Sequence, residues 1–222
     1  LNPIFLLDEQ FTGKTCNEKI NEAVKCLEKI GADLTYLGTP ESICWLLNIR
    51  GDDFPYTPLI DAMAFLDRFG IVTLIIDTHK IPENIRDVLS EQVKFLSEND
   101  LFDFLETQKN CKILLHAPST PIWIGQHFVE EQLAWGEDLL ALPKACKNQI
   151  EQAGMRQAHL KDGLALVRFL CWLYHNTQSL TELDVVEQLE SFRKLGENYR
   201  GPSFPTIAGY GSNGAIVHYR PE

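Results

Sequence analysis

The chain has 222 residues, 45% of them hydrophobic, and carries 31 acidic against 20 basic side chains for a net charge of −11. Such a composition fits one large or two modest domains with a real core, and an acidic chain without a basic stripe argues against nucleic acid as a partner. No apolar run reaches the roughly 18–20 residues of a membrane span; the longest, 163–174, is broken by Arg168.

Residues 18–30 place Ile20, Ala23, Val24, Leu27 and Ile30 on one helical face, and Gly31 offers a stop. Residues 33–37 read as a short strand. Pro40 and Glu41 open a second helix that runs through Leu47 and ends near Gly51. Strands are predicted at 61–65, at 71–76 (apolar on both faces) and at 111–116, with helical segments near 83–92, 99–107 and 119–134. The strands at 61–65 and 71–76 are too close for a crossover helix. The first part is therefore predicted to be α/β, a mixed sheet flanked by helices.

Residues 142–147, with Pro143 at a turn, read as a linker between a first domain (1–141) and a second (148–222). The charge balance shifts near the same place, from −10 over residues 1–150 to −1 over 151–222. A long helix over about 148–175 starts polar and ends apolar nearly all round, which predicts an end inside a core. Ser179-Leu180-Thr181-Glu182 reads as a capping box for the next helix. That helix would bury Val185, Val186, Leu189 and Phe192 and stop at Gly196. The stretch 204–219, FPTIAGYGSNGAIVHY, predicts a β-hairpin reversing at 211–214 and presenting His218 on its second arm.

The six cysteines are scattered without a C-x-x-C pair, so free thiols and a cytoplasmic setting are expected rather than a zinc knuckle or a disulfide framework. Leu1 in place of an initiator methionine leads us to expect a start inside a longer gene product. His79, His116, His127, His159 and His175 lack the i, i+4 spacing of a helical metal site and read as structural. Asp52-Asp53 read as turn acids; Glu130-Glu131 and Glu137-Asp138 read as solvated. No G-x-S-x-G or P-loop is present; Gly209-Tyr210-Gly211-Ser212-Asn213-Gly214 has the G-x-G-x-x-G spacing, but no helix is predicted to follow it, so a nucleotide role is not expected. His218 is the sharpest candidate. Gly209, Gly211 and Gly214 around it permit close backbone approach to a ligand, and they serve a tight turn equally well. Within 203–222 the only carboxylate is Glu222, so no hard-cation site can be assembled there.

Three stretches resemble the aminopeptidase P branch of the pita-bread metallopeptidases, the Xaa-Pro aminopeptidases. Ile43-Cys44-Trp45-Leu46-Leu47-Asn48-Ile49-Arg50-Gly51, with Asp53, Pro55-Tyr56 and Pro58, is similar to the W-L-L-N-x-R-G-x-D-x-P-Y-x-P signature of that family's second creatinase-like domain. Gly154-Met155-Arg156, Ala158-His159 and Asp162-Gly163 on to Phe169 look like the helix that opens the catalytic domain. Ser203-Phe204-Pro205-Thr206-Ile207 and Asn213 through Tyr219 resemble the start of the pita-bread active-site region, and the linker Leu142-Pro143-Lys144-Ala145 also matches.

The resemblance implies a creatinase-like domain followed by the N-terminal part of a pita-bread α+β fold, within a longer three-domain parent. It implies hydrolysis of the Xaa-Pro bond of proline-containing peptides with two divalent ions, expected to be manganese, that supply the nucleophile and charge stabilisation. The five metal ligands of the family lie beyond the segment matching His218, so none is expected in this chain, and the chain alone is expected to be inactive. The histidine matching His218 would donate a hydrogen bond as the tetrahedral centre forms. Phe204 and Tyr219 match positions near the active-site wall, where packing is an equal reading. Arg50 lies in the second-domain signature, as a substrate-channel residue or a structural ion pair. The alternative is a non-catalytic creatinase-like module for peptide or partner binding. Second domains of the family also contribute to homodimers, for which Trp123, between Ile122 and Ile124, reads either as an exposed apolar contact or simply as core; no membrane partner is expected.

Overall fold

The computed structural model describes residues 2–176 and 179–221. In chain order the elements are β1 (Phe5–Leu6), α1 (Glu9–Thr12), α2 (Cys16–Ile30), β2 (Leu34–Leu37), α3 (Pro40–Leu47), β3 (Ile49–Arg50), β4 (Met63–Asp67), β5 (Val72–Ile75), α4 (Glu83–Leu89) and β6 (Val93–Leu96). There follow α5 (Leu101–Thr107), β7 (Ile113–Leu115), α6 (Ile122–Gly125), β8 (Leu133–Trp135), α7 (Ala141–Ala145), α8 (Gln149–His175) and α9 (Glu182–Lys194). They divide into two units, Leu1–Phe54 with Pro58–Glu151 and Pro55–Thr57 with Gln152–Glu222.

In the first unit six strands form a mixed sheet in the order β6-β5-β4-β2-β7-β8. β4 runs antiparallel to both β2 and β5, while the β5–β6, β2–β7 and β7–β8 pairs are parallel. The period of two along each strand divides the side chains between two cores. Leu37, Ala64, Leu66, Val72, Leu74 and Val93 face one way and pack with Ile20 and Ala23 of α2 and with Ile43, Leu46 and Leu47 of α3. Leu34, Tyr36, Phe65 and Ile75 face the other way, with Leu101 and Leu105 of α5 and Ile124 of α6. Fully burying one such aliphatic side chain contributes roughly 1.5–3 kcal/mol.

The helices end where the chain chemistry says they should. Thr15 caps α2 in a reciprocal pair with Glu18, and Gly31 closes it at φ 71°. Asn48 closes α3 in the same left-handed conformation, at φ 53°. The two-stranded pairing of β1 with β3 lies outside the large sheet.

Several expectations are corrected. The strand expected at 61–65 is Met63–Asp67, because the Asp61 N–H donates to the Asp53 carboxylate instead of to a ladder. Residues 119–134 are not one helix. Only Ile122–Gly125 is α-helical there, Glu130–Gln132 is a single 3₁₀ turn, and Leu133–Trp135 adds a strand to β7. The apolar positions 124, 128 and 133 do not keep a helical period, and Ile122 and Val129 are exposed. Val93–Leu96, between the helices expected at 83–92 and 99–107 and not expected to be a strand, pairs with β5, since Val93 and Phe95 meet a core that only the sheet supplies. Pro143 sits inside the short helix α7, in its first turn, rather than at a reversal.

In the second unit, α8 does not finish in a core. Only Ala165 and Phe169 are buried along it, and Leu164, Val167 and Leu170 are more than half exposed. This unit has no strand among its described residues, so it supplies no sheet of its own to cover that surface. The cap of α9 is two residues later than expected. Thr181 accepts from the Asp184 N–H, and the Asp184 carboxylate accepts from the Thr181 N–H. The expected hairpin at 204–219 is absent. Gly211–Ala215 forms a 3₁₀ turn, and neither flank joins a ladder. A two-stranded ribbon is marginal without a third strand or a helix to cover it.

Candidate functional site

The signature stretch from Trp45 to Pro58 is built around a buried lysine. Lys19 lies on the apolar face of α2 and is 1% exposed. Its Nζ donates to Asn48 Oδ1 at 2.6 Å and to the Trp45 carbonyl at 2.8 Å, and lies 4.4 Å from the Trp45 ring centre. Asn48 in turn donates from Nδ2 to the Lys14 carbonyl at 2.8 Å. The Trp45 indole N–H donates to Glu151 Oε1 at 3.3 Å, and Glu151 Oε2 accepts the Asn148 N–H. Burial holds the Lys19 pKa down to about 8, against the nearby Glu151 carboxylate that favours its charged form.

The rest of the signature is spatially economical. Arg50 Nη1 donates to the Cys44 and Ile49 carbonyls at 2.9 and 2.8 Å, and burial lowers its guanidinium pKa. Among the described residues Arg50 makes no ion pair. Gly51 is required by space, since a Cβ there would stand 2.6 Å from Ile60 Cγ2. Asp53, read as a turn acid, is largely buried in an ion pair: its Oδ1 meets Lys80 Nζ at 2.7 Å, both side chains about an eighth exposed (13% and 12%). Asp138, also read as solvated, accepts from the Ser42 hydroxyl at 2.6 Å and from the Leu140 N–H at 2.8 Å. Glu130, Glu131 and Glu137 are exposed as expected.

In the second unit, His218 is exposed at φ 55°, a left-handed conformation rare outside glycine. Beside it, the Tyr219 hydroxyl donates to Glu182 Oε2 and accepts from Asn213 Nδ2 at 2.9 Å. Glu182 also accepts the Tyr210 N–H, and both its oxygens lie 3.2 Å from Asn213 Nδ2. The bond from Tyr219, then that from the Tyr210 N–H, lowers the Glu182 pKa. One carboxylate at the start of α9 therefore gathers the segment 210–219. Phe204 stands elsewhere in this unit, 62% exposed, at a cavity of about 480 Å3 with His159, Tyr199 and the Asp162–Arg193 pair. His218 and Tyr219 are not among that cavity's lining residues.

Sequence reasoning missed Lys19, Glu151 and Glu182. The signal for Lys19 was its place on the stripe of Ile20, Ala23 and Leu27. Glu182 was assigned to a cap that Asp184 makes instead. Among the described residues no group of three or more His, Cys, Asp or Glu side chains could hold a metal ion, so the residues present do not fit a metal centre. No helix among them is long and apolar enough to cross a membrane.

Residues 1–151 match the creatinase/prolidase N-terminal domain, and residues 153–222 match metallopeptidase family M24. The chain therefore belongs to the creatinase/prolidase N-terminal domain family, continued by M24 metallopeptidase sequence. Xaa-Pro aminopeptidase 1 of Dictyostelium discoideum is 32% identical over 228 residues, covering 100% of this chain and 36% of that protein. The crystal structure of X-prolyl aminopeptidase from Caenorhabditis elegans, described as a cytosolic enzyme with a di-nuclear active site, superposes with a TM-score of 0.91 at 30% identity. It covers 100% of this chain and 38% of that one. The prolidase from Pyrococcus furiosus, 17% identical with a TM-score of 0.61, covers 91% of this chain and 60% of its own and shares the fold. The expected creatinase-like mixed sheet with flanking helices, followed by pita-bread sequence, is thus present. The chain spans less than two-fifths of the length of the Dictyostelium and Caenorhabditis relatives, 36% and 38%.

Proposed function

We propose that the protein to which these residues belong is a metal-dependent aminopeptidase that releases the N-terminal residue of Xaa-Pro peptides. The observation that carries this reading is the superposition of the whole chain on X-prolyl aminopeptidase at a TM-score of 0.91. The domains are a creatinase-like unit over 1–141, a linker at 142–147 and pita-bread sequence over 148–222. Two divalent ions, in our reading manganese, would be held by side chains other than those described here and would supply the hydrolytic nucleophile. In this reading the 222 residues alone have no turnover.

His218 is the substrate-side donor in this proposal. Its exposed ring is free to approach a peptide carbonyl and to donate as negative charge develops there. Tyr219, fixed by Glu182, holds the backbone on which His218 stands. Phe204 provides apolar wall, and Arg50, bonded to carbonyls of its own signature, shapes the creatinase-like unit. The six free cysteines suit a reducing cytoplasm. Trp123, 36% exposed and packed on Phe102 and His127, is the proposed homodimer contact.

The test uses the full-length gene product and Xaa-Pro-Yaa peptides. Release of the first residue, abolished by a chelator and restored by manganese, is the expected result. Peptide left intact under all metal conditions overturns the reading. Turnover by the 222-residue chain with manganese would overturn the placement of the metal ligands outside it.

A further inference from the structure

The register of the large sheet sets Phe65 opposite Thr73 and Thr73 opposite Lys94, so these side chains share one face across β4, β5 and β6. Helix α5 covers this face through Leu101 and Leu105. Where that cover ends, a cavity of about 470 Å3 opens between the sheet and α5, within the size range of small-molecule sites. Ile71, Leu96 and Phe104 give it apolar walls, and Thr73, Lys94 and Asp103 give it polar groups.

Thr73 is 5% exposed and lines the cavity, yet its hydroxyl has no hydrogen-bond partner among the described residues. The other buried threonine of the sheet, Thr35, donates to the Leu114 carbonyl. That hydroxyl is not sealed from solvent: it opens on the cavity, where a bound molecule can hydrogen-bond it. Lys94 on β6 and Asp103 on α5 bring opposite charges to the exposed rim of the cavity. Neither makes an ion pair among the described residues, with each other or with anything else. The other carboxylates at the cavity already have bonds: Asp67 accepts the Phe69 and Ile71 N–H groups, and Asp100 accepts the Ser97 hydroxyl. Opposite charges that face one space without meeting fit a molecule bearing both complementary charges.

We propose that this cavity binds a small zwitterion of the α-amino-acid class. The Lys94 ammonium and the Thr73 hydroxyl receive its carboxylate, Asp103 receives its ammonium, and its side chain lies against Ile71, Leu96 and Phe104. Strands β5 and β6 are neighbours, about 4.8 Å apart as adjacent strands are, so one carboxylate reaches both Thr73 and Lys94. The volume exceeds that of a small amino acid and favours a large apolar side chain. The site is in the creatinase-like unit and is independent of the peptidase reading.

Isothermal titration calorimetry of L-leucine into the full-length protein tests this, with L-leucine amide and 4-methylpentanoate as single-charge probes. The expected result is a saturable site that Thr73→Val, Lys94→Gln and Asp103→Asn each weaken about tenfold or more. L-leucine amide should lose its sensitivity to Lys94→Gln, and 4-methylpentanoate its sensitivity to Asp103→Asn. Peptide cleavage should be unchanged in all three variants, which separates this site from any leucine held at the peptidase centre. Absence of binding overturns the proposal, as does binding that none of the substitutions alters. Asp103 is exposed and its substitution spares the core, so the test stands even if Thr73→Val fails to fold.

Discussion

The ammonium of Lys19 lies 4.4 Å from the ring centre of Trp45 and hydrogen-bonds that residue's own carbonyl at 2.8 Å. A cation is thus buried against the first residue of the family signature, with Asn48 as its other partner. Its pKa falls from the ordinary 10.5 to about 8 because burial penalises the charge. Between those values the unfolded chain keeps a proton that the folded chain releases, so stability rises with pH. The stability of the parent chain minus that of Lys19→Met should be flat below about pH 7 and climb between the folded and unfolded pKa values. Urea unfolding of both proteins from neutral to alkaline pH measures it, and parallel curves would refute the assignment.

Asn48 combines a left-handed backbone with bonds to Lys19 and Lys14. Asn48→Ala should cost about 2–4 kcal/mol, since it strains the backbone and strands a buried cation. Asn48→Gly should recover about 1 kcal/mol of that by relieving the backbone alone. Chemical denaturation of the two variants separates the contributions.

The Asp53–Lys80 pair closes the signature loop at 2.7 Å and is largely buried. Asp53→Asn or Lys80→Met should each cost about 2–3 kcal/mol, because each leaves an uncompensated charge. The double substitution should cost less than the sum. A double-mutant cycle checks this, and additivity would show that the pair contributes nothing as a pair.

Glu182 gathers Tyr210, Asn213 and Tyr219. Its pKa is lowered by the Tyr219 and Tyr210 bonds, so the clasp holds above the ordinary carboxylate pKa of 4.5 and is lost as pH falls through the lower folded value. Glu182→Ala should expose 204–219 to limited proteolysis at neutral pH, while cleavage sites in the first unit stay protected.

Under the proposed activity, His218→Ala in the full-length protein should lower kcat by about 10²–10³ with a smaller change in KM, the signature of a donor used in the transition state. Steady-state kinetics on one Xaa-Pro-Yaa peptide decides it.

Much of the sheet was legible because Val72–Ile75 is apolar on both faces and α2 keeps a helical stripe. What escaped notice was set by partners far away in sequence. Leu133–Trp135 is a strand only because β7 lies beside it. The glycines and Asn213 near 211–214, read as a hairpin reversal, serve a 3₁₀ turn equally well. Thr73 could not be singled out, since threonine is an ordinary strand residue and its unpaired hydroxyl exists only in the packed sheet. Lys19 on an apolar stripe usually reads as a side chain reaching past the core to water; here Asn48 and Trp45 meet it inside.

Strand β2 is the pivot of the sheet, antiparallel to β4 on one side and parallel to β7 on the other. Its two neighbours leave the ribosome far apart in time. At roughly 5–20 residues per second, several seconds separate the emergence of residue 67 from that of residue 115. Over that interval the edge of β2 that β7 will fill stands bare, an apolar hydrogen-bonding edge open to wrong partners.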